Sequence, residues 1–168
     1  MSACPSNNLI EYVGVANNLP DTVTNFSEFV NEEILIIPKQ KPNIEQITRV
    51  SSNVKIVSTN AVKNVSNSAG PFGSSVPGFL TTGWVLTVEG AICEVITYVA
   101  DDPTQSLHSA HFVKPFSTIL ALPSDFDPTS TITVTPFIEN ICIEQIDCRR
   151  MFKCELILIN ATGIQTLT

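Results

Sequence analysis

Alternation of apolar and polar side chains is sharpest between residues 84 and 99. One parity reads Trp84, Leu86, Val88, Gly90, Ile92, Glu94, Ile96 and Tyr98; the other reads Val85, Thr87, Glu89, Ala91, Cys93, Val95, Thr97 and Val99. A period of two with one greasier side predicts a long β-strand, or two strands joined at Gly90, with the first parity facing the core. Gly90 is the expected place of a bulge or bend. Residues 131–147 predict a second long strand region. There Ile132, Val134, Pro136 and Ile138 share a parity that Ile141 and Ile143 abandon. The switch predicts a bulge or bend near Glu139 and Asn140, and Pro136 predicts an edge or an interruption. Near the C-terminal end, Phe152, Cys154, Leu156 and Leu158 alternate with Lys153, Glu155, Ile157 and Ile159, which reads as another strand. Further strands are expected at 34–37, 46–58 and 110–122. Breakers separate them: Pro38 and Pro42, Asp101-Asp102-Pro103, and Pro123 through Pro128. Helix is expected at most as one turn around 26–31.

Composition agrees with the pattern. Ile (18), Val (16) and Thr (17) supply about 30% of the 168 residues, and branching at Cβ suits a pleated surface better than a helix. The expectation is an all-β fold, antiparallel, with two packed sheets in a β-sandwich or jelly-roll-like form and an extended N-terminal arm. The arm covers residues 1–20 and could pair with a neighbouring subunit. The β domain covers 21–162, with a loop rich in Gly, Ser and Pro at 64–79, and 163–168 form a C-terminal tail. The hydrophobic content of 43% excludes wholesale disorder. No apolar run approaches the roughly 20 residues of a spanning helix. The first ten residues lack the basic and apolar regions of a secretion signal, so synthesis in the cytosol without general export is expected.

Charge narrows the partners. Nine Lys plus Arg against sixteen Asp plus Glu give a net charge of −7, and no cation stands between Lys63 and Lys114. Neutralising phosphates needs a basic face, so nucleic acid is not an expected partner, and neither is an anionic membrane. Only 15% of the residues are charged, against about 25% in ordinary soluble domains. Little keeps copies of such a chain apart.

Candidate chemistry is sparse. His108 and His111, with Asp101 and Asp102 upstream, suggest metal ligation, but on a strand two residues three apart point to opposite faces. Asp125 and Asp127, like Asp101 and Asp102, read as solvated turns rather than a calcium loop. There is no Gly-x-Ser-x-Gly and no glycine-rich phosphate loop. No catalytic residue, metal or cofactor is assigned. The five cysteines, Cys4, Cys93, Cys142, Cys148 and Cys154, include no Cys-x-x-Cys pair. Their odd number leaves at least one without an internal partner. Cys4, in the arm, is the candidate for an intersubunit disulfide, its partner being one of Cys93, Cys142, Cys148 or Cys154.

Several blocks together resemble a known family. They are Leu9-Ile-Glu-Tyr-Val13, Ile37-Pro-Lys-Gln-Lys-Pro-Asn-Ile-Glu-Gln-Ile47, Val88-Glu-Gly90, the run from Tyr98 to Phe112 ending in His-Ser-Ala-His-Phe, Pro115-Phe-Ser117 and Ile143-Glu-Gln-Ile-Asp147. They are similar to the SPOCS domain, the spore-coat-associated domain of endospore-forming Firmicutes, from about residue 9 to about residue 161. The resemblance implies a β-rich protein of the spore envelope that works through protein–protein contacts, with no catalytic residues. Larger relatives attach a peptidoglycan-binding LysM module; this sequence lacks one.

Three functions follow as expectations. The first is a structural protein of the endospore envelope that self-associates, in filaments or appendages, through strand edges and the N-terminal arm. The second is a soluble adaptor that docks other spore-coat proteins during sporulation. The third and weakest is a small metal-dependent hydrolase using Asp101, Asp102, His108 and His111. The first two imply synthesis in the mother-cell cytoplasm and deposition on the spore envelope or surface.

Overall fold

The computed structural model describes residues 9–63, 75–76, 79–80 and 83–167, the two short stretches by their backbone. Among these residues there are nine strands and no helix: β1 (Glu11–Val13), β2 (Asn25–Ile36), β3 (Ile44–Lys63), β4 (Ser75–Val76), β5 (Phe79–Leu80), β6 (Trp84–Ala100), β7 (Leu107–Ala121), β8 (Thr133–Gln145) and β9 (Arg150–Thr162). One sheet has the order β1-β3-β6-β7 and the other β2-β9-β8, while β4 and β5 form a small ribbon. All pairings are antiparallel except β1 with β3. The two large sheets face each other across one apolar core, so the fold is the expected all-β sandwich.

Strand β6 is the spine of the four-stranded sheet. Its even-numbered parity from Leu86 to Ala100 is buried and its odd-numbered parity is not, as the alternation predicts. Each large side chain so buried contributes roughly 1.5–3 kcal/mol. Gly90 does not itself bulge. The extra residue falls on β3, where the register shifts between Ile56 and Ser58, opposite Gly90 and Glu89. Gly90 serves packing instead: a Cβ there would meet the Phe116 ring at 2.5 and 2.6 Å and the Lys55 carbonyl oxygen at 2.7 Å.

In the three-stranded sheet, β8 shifts register between Ile138 and Asn140, and burial changes parity from Ile138 to Ile141 and Ile143. That is the expected bulge. Pro136 lies on β8 at the sheet's edge, where a missing N–H is tolerated.

The expected helical turn at 26–31 is corrected to strand. Residues 25–36 pair with β9 through twelve consecutive partners, Asn25↔Ala161 to Ile36↔Arg150, without a register shift. Asn31 and Glu33 point inward while Val30, Ile34 and Ile36 point outward, so the usual polarity is inverted and the period is masked.

The N-terminal segment also departs from expectation. Glu11, Tyr12 and Val13 pair with Arg49, Val50 and Ser51 of the same chain, and the Ala16 N–H donates to the Ile138 carbonyl at 2.8 Å. Residues 11–16 therefore bridge the two sheets of their own chain. Gly14, at φ +106°, makes this possible, because a Cβ there would overlap the Ser52 carbonyl oxygen. Residues 1–8 of the expected arm, and most of the 64–79 loop, lie outside the described residues. In the segment expected as a tail, the Leu167 N–H donates to Asp125 O at 2.7 Å and Gln165 O accepts from the Asp127 N–H at 2.9 Å.

The crossover from β2 to β3 is clamped by Arg149. Its guanidinium donates to Asn43 Oδ1 at 2.6 Å and to the carbonyls of Pro38 (2.6 Å), Ile37 (3.1 Å) and Lys41 (3.2 Å). The crossover from β7 to β8 is plugged by buried Phe126, edge-on to Trp84 at 5.4 Å.

Candidate functional site

Charges are scarce in this chain, yet three of them stand in the centre of the core. Glu94 continues the buried parity of β6 between Ile92 and Ile96, and Lys153 and Glu155 occupy the inward parity of β9 between Met151 and Ile157. All three are at most 1% exposed. Lys153 Nζ contacts Glu94 Oε1 directly and lies 2.7 Å from Glu155 Oε2 and 3.4 Å from Glu33 Oε1. Glu33 has further partners: Asn31 Nδ2 donates to its Oε1 at 2.9 Å, and Lys114 Nζ stands 3.7 Å from Oε2. Sequence reasoning placed Glu94 on the greasy face without asking what it meets there. The available signal was a charge on an apolar parity in each of two strands.

The Asp101–His111 segment makes a turn that leads into β7. Asp102 accepts from the Thr104 hydroxyl (2.7 Å), the Thr104 N–H (3.0 Å) and the Ser106 hydroxyl (3.1 Å). The Thr104 hydroxyl bond, with help from Ser106, holds its carboxyl below the usual range. Ser106 Oγ is 3.0 Å from His108 Nε2, and the imidazole stacks on Tyr98 at 6.0 Å. His111 is exposed on the opposite face of β7, and Asp101 is exposed in the turn. The structure thus brings Asp102 and His108 to one serine and separates them from the other two. Among the described residues no three His, Cys, Asp or Glu side chains converge to hold a metal ion. Asp127 is a second turn cap, accepting from the Thr129 N–H and hydroxyl, both at 2.8 Å, with its carboxyl lowered chiefly by that N–H.

The cysteines spread over the outside. Cys93 is a half-buried free thiol on the outer face of the four-stranded sheet, and Cys148 is free and exposed in the β8–β9 turn. Cys154, also free, stands beside Cys142 across the β8–β9 ladder, on the outer face of the three-stranded sheet. Burial first, and then the Glu32 carboxylate, push the Cys154 thiol up. Cys4 lies outside the described residues.

Edges and faces carry the remaining chemistry. At the edges, β7 carries Pro115, and β8 carries Pro136 and a bulge. Edge strand β2 has neither. Its outward residues Phe26, Val30, Ile34 and Ile36 are 44–58% exposed, with exposed Glu28 and Glu32 on the same face. They continue an apolar stripe onto β9, where Val30 faces Leu156 and Ile34 faces Phe152. On the other sheet's outer face, Val57, Glu89, Ala91, Pro115, Phe116 and Ser117 line an open groove of about 550 Å³ beside Gly90.

Such a molecule is an all-β sandwich whose edge strand β2 is free of proline and bulge, with Lys114 of β7 donating to its Glu32 carbonyl at 3.3 Å. The family model described as SipL, SPOCS domain, matches residues 43–146, and the chain belongs to that SPOCS-domain family. No curated protein and no solved structure matches it. Membership points to a sporulation and spore-coat-associated role and a spore-related location, and the family is not a known enzyme family. No helix among the described residues is long and apolar enough to cross a membrane.

Proposed function

We propose that this chain is a structural protein of the endospore envelope that binds copies of itself through the β2 edge and the apolar stripe beside it. The observation that carries the reading is the exposed row Phe26, Val30, Ile34 and Ile36 along an edge of twelve residues free of proline and bulge. Open edges accept further strands, and large exposed apolar patches mark interaction surfaces. The low charge of the whole chain leaves little repulsion to oppose contact. A contact between this edge and a different surface of the next copy does not close, and it propagates as a filament. The protein is made in the mother-cell cytoplasm and deposited on the spore surface.

The test is sedimentation and negative-stain microscopy of the purified full chain beside the double variant V30K/I34K. Wild type is expected in large assemblies and the variant as folded monomer. A wild type that stays monomeric at high concentration, under oxidising and reducing conditions alike, removes the proposal. The groove beside Gly90 supports a second reading, an adaptor for other spore-coat proteins. That reading predicts a stable monomer and a defined partner from spore extracts, lost when Ala91→Glu fills the groove.

A further inference from the structure

The buried charges do not balance. One ammonium, on Lys153, faces two carboxylates, Glu94 and Glu155, all three sealed from solvent. Ile92 and Ile96 flank Glu94, while Met151, Ile157, Ile141 and Ile143 surround the β9 pair. Glu94 Oε2 and Glu155 Oε1 have no hydrogen-bond partner among the described residues, and Glu155 Oε2, although 2.7 Å from Nζ, is poorly directed for one. A buried ion pair repays its desolvation only when its remaining lone pairs are satisfied. Here they are not. A neutral amide between the Lys153 and Glu94 side chains would remove two of the three charges.

We propose that Lys153 and Glu94 condense to an amide, a covalent staple between the two sheets, with Glu155 as the catalytic proton carrier. One ammonium proton passes to Glu94, leaving a neutral amine against a neutral carboxylic acid. The nitrogen lone pair attacks Cδ while the C=O π pair moves onto oxygen. Glu155 takes a second proton from nitrogen and hands it to the hydroxyl. The C–O bond breaks, water leaves, and the oxygen pair re-forms the C=O. One N–H remains on the amide and Glu155 regains its carboxylate. No oxidant, reductant or activated donor is needed. In water this condensation runs uphill, but fixed partners reach effective concentrations on the order of 10⁵–10⁸ M, and a dry core withholds the water that hydrolysis requires. Glu94 is the acceptor because its Oε1 is the carboxylate oxygen in direct contact with Nζ, whereas Glu155 Oε2 stands 2.7 Å away and Glu33 is also held by Asn31 and Lys114. The staple does not depend on what the protein assembles with.

Intact-mass spectrometry of the full chain, folded, then reduced and denatured, reads the result directly. The wild type is expected to be lighter than its sequence mass by one water. Proteolysis should release a branched peptide joining the Lys153 segment to the Glu94 segment. Lys153→Met should weigh its sequence mass. Glu94→Gln should reach the same amide by losing ammonia instead of water. Glu155→Gln should slow condensation on the order of 100-fold after refolding, the usual scale of general acid–base help. A folded wild type at its uncondensed mass overturns the proposal, and so does a branched peptide ending at Glu33 or Glu155.

Discussion

Replacing Gly90 by Ala isolates the packing that joins the two sheets. Gly90 is not among the glycines with positive φ, so the substitution asks nothing unusual of the backbone. Removing chain freedom from the unfolded state would by itself favour Ala by about 0.4–1 kcal/mol. Against that gain stand three contacts of the new Cβ at 2.5, 2.6 and 2.7 Å, where ordinary van der Waals contact begins near 3.4 Å. Two are with the Phe116 ring, which leans on Phe29 of the opposite sheet at 5.4 Å. The third is the Lys55 carbonyl, held in the β3 ladder. Neither neighbour can move alone, and overpacking of this kind costs about 1–3 kcal/mol. The net expectation is a loss of roughly 1–2 kcal/mol. Urea unfolding should show it as a lower midpoint with an unchanged slope. Phe116→Leu should make room, so the double variant G90A/F116L should lose less than the sum of the single losses. A Gly90→Ala protein as stable as the wild type, or more so, would show that the ring yields freely and that Gly90 is not there for packing.

Lys153→Met removes the staple and leaves Glu94 and Glu155 as buried carboxylates without a cation, so it should cost at least about 3–5 kcal/mol in urea unfolding; K153M/E94L/E155L regains only the part due to the buried charges, and a single-variant loss under about 1 kcal/mol contradicts the burial argument. Burial, and then the Glu28 carboxylate, raise the Glu139 carboxyl, so the fold holds that proton more tightly than the unfolded chain does. Its stabilising contribution is complete below the ordinary glutamate value and is lost as pH rises through the elevated one. Glu139→Gln should flatten that slope in thermal melts at stepped pH, and an unchanged slope refutes the assignment. Asp147 has the opposite sign: the Arg149 N–H, then the Arg150 side chain, lower its carboxyl, and its contribution is lost as pH falls through the lowered value. Asp147→Asn should therefore lower the melting temperature at neutral pH and shrink the difference in acid. Iodoacetamide followed by peptide mapping should, among the free thiols Cys93, Cys148 and Cys154, label exposed Cys148 first and Cys154 last, because burial and the Glu32 carboxylate disfavour its thiolate.

Strands were legible where one face is uniformly apolar. Strand β6 shows its buried parity openly, and the bulge in β8 shows as a change of parity at Glu139. Strand β2 hid because Asn31 and Glu33 turn inward beneath outward Val30, Ile34 and Ile36. Periodicity assumes that polar means outside, and there the assumption fails. The charged centre was illegible for a different reason. Glu94 and Lys153 lie 59 residues apart on different sheets, and only the stacking of the sheets brings them together. Pro136 announced an edge, but nothing local announced that β2 is an edge too, since that depends on which strand β9 adopts as its other neighbour.

That adoption sets a timetable. Strand β2 precedes the long β3–β6–β7 meander, yet its hydrogen-bonded neighbour, β9, follows it. Closing so large a loop is slow relative to zipping the hairpins between. On the ribosome, β2 must wait as an unpaired segment until β9 emerges. Its outward row therefore comes into register only in a finished molecule, and half-made chains have no ordered β2 edge to present.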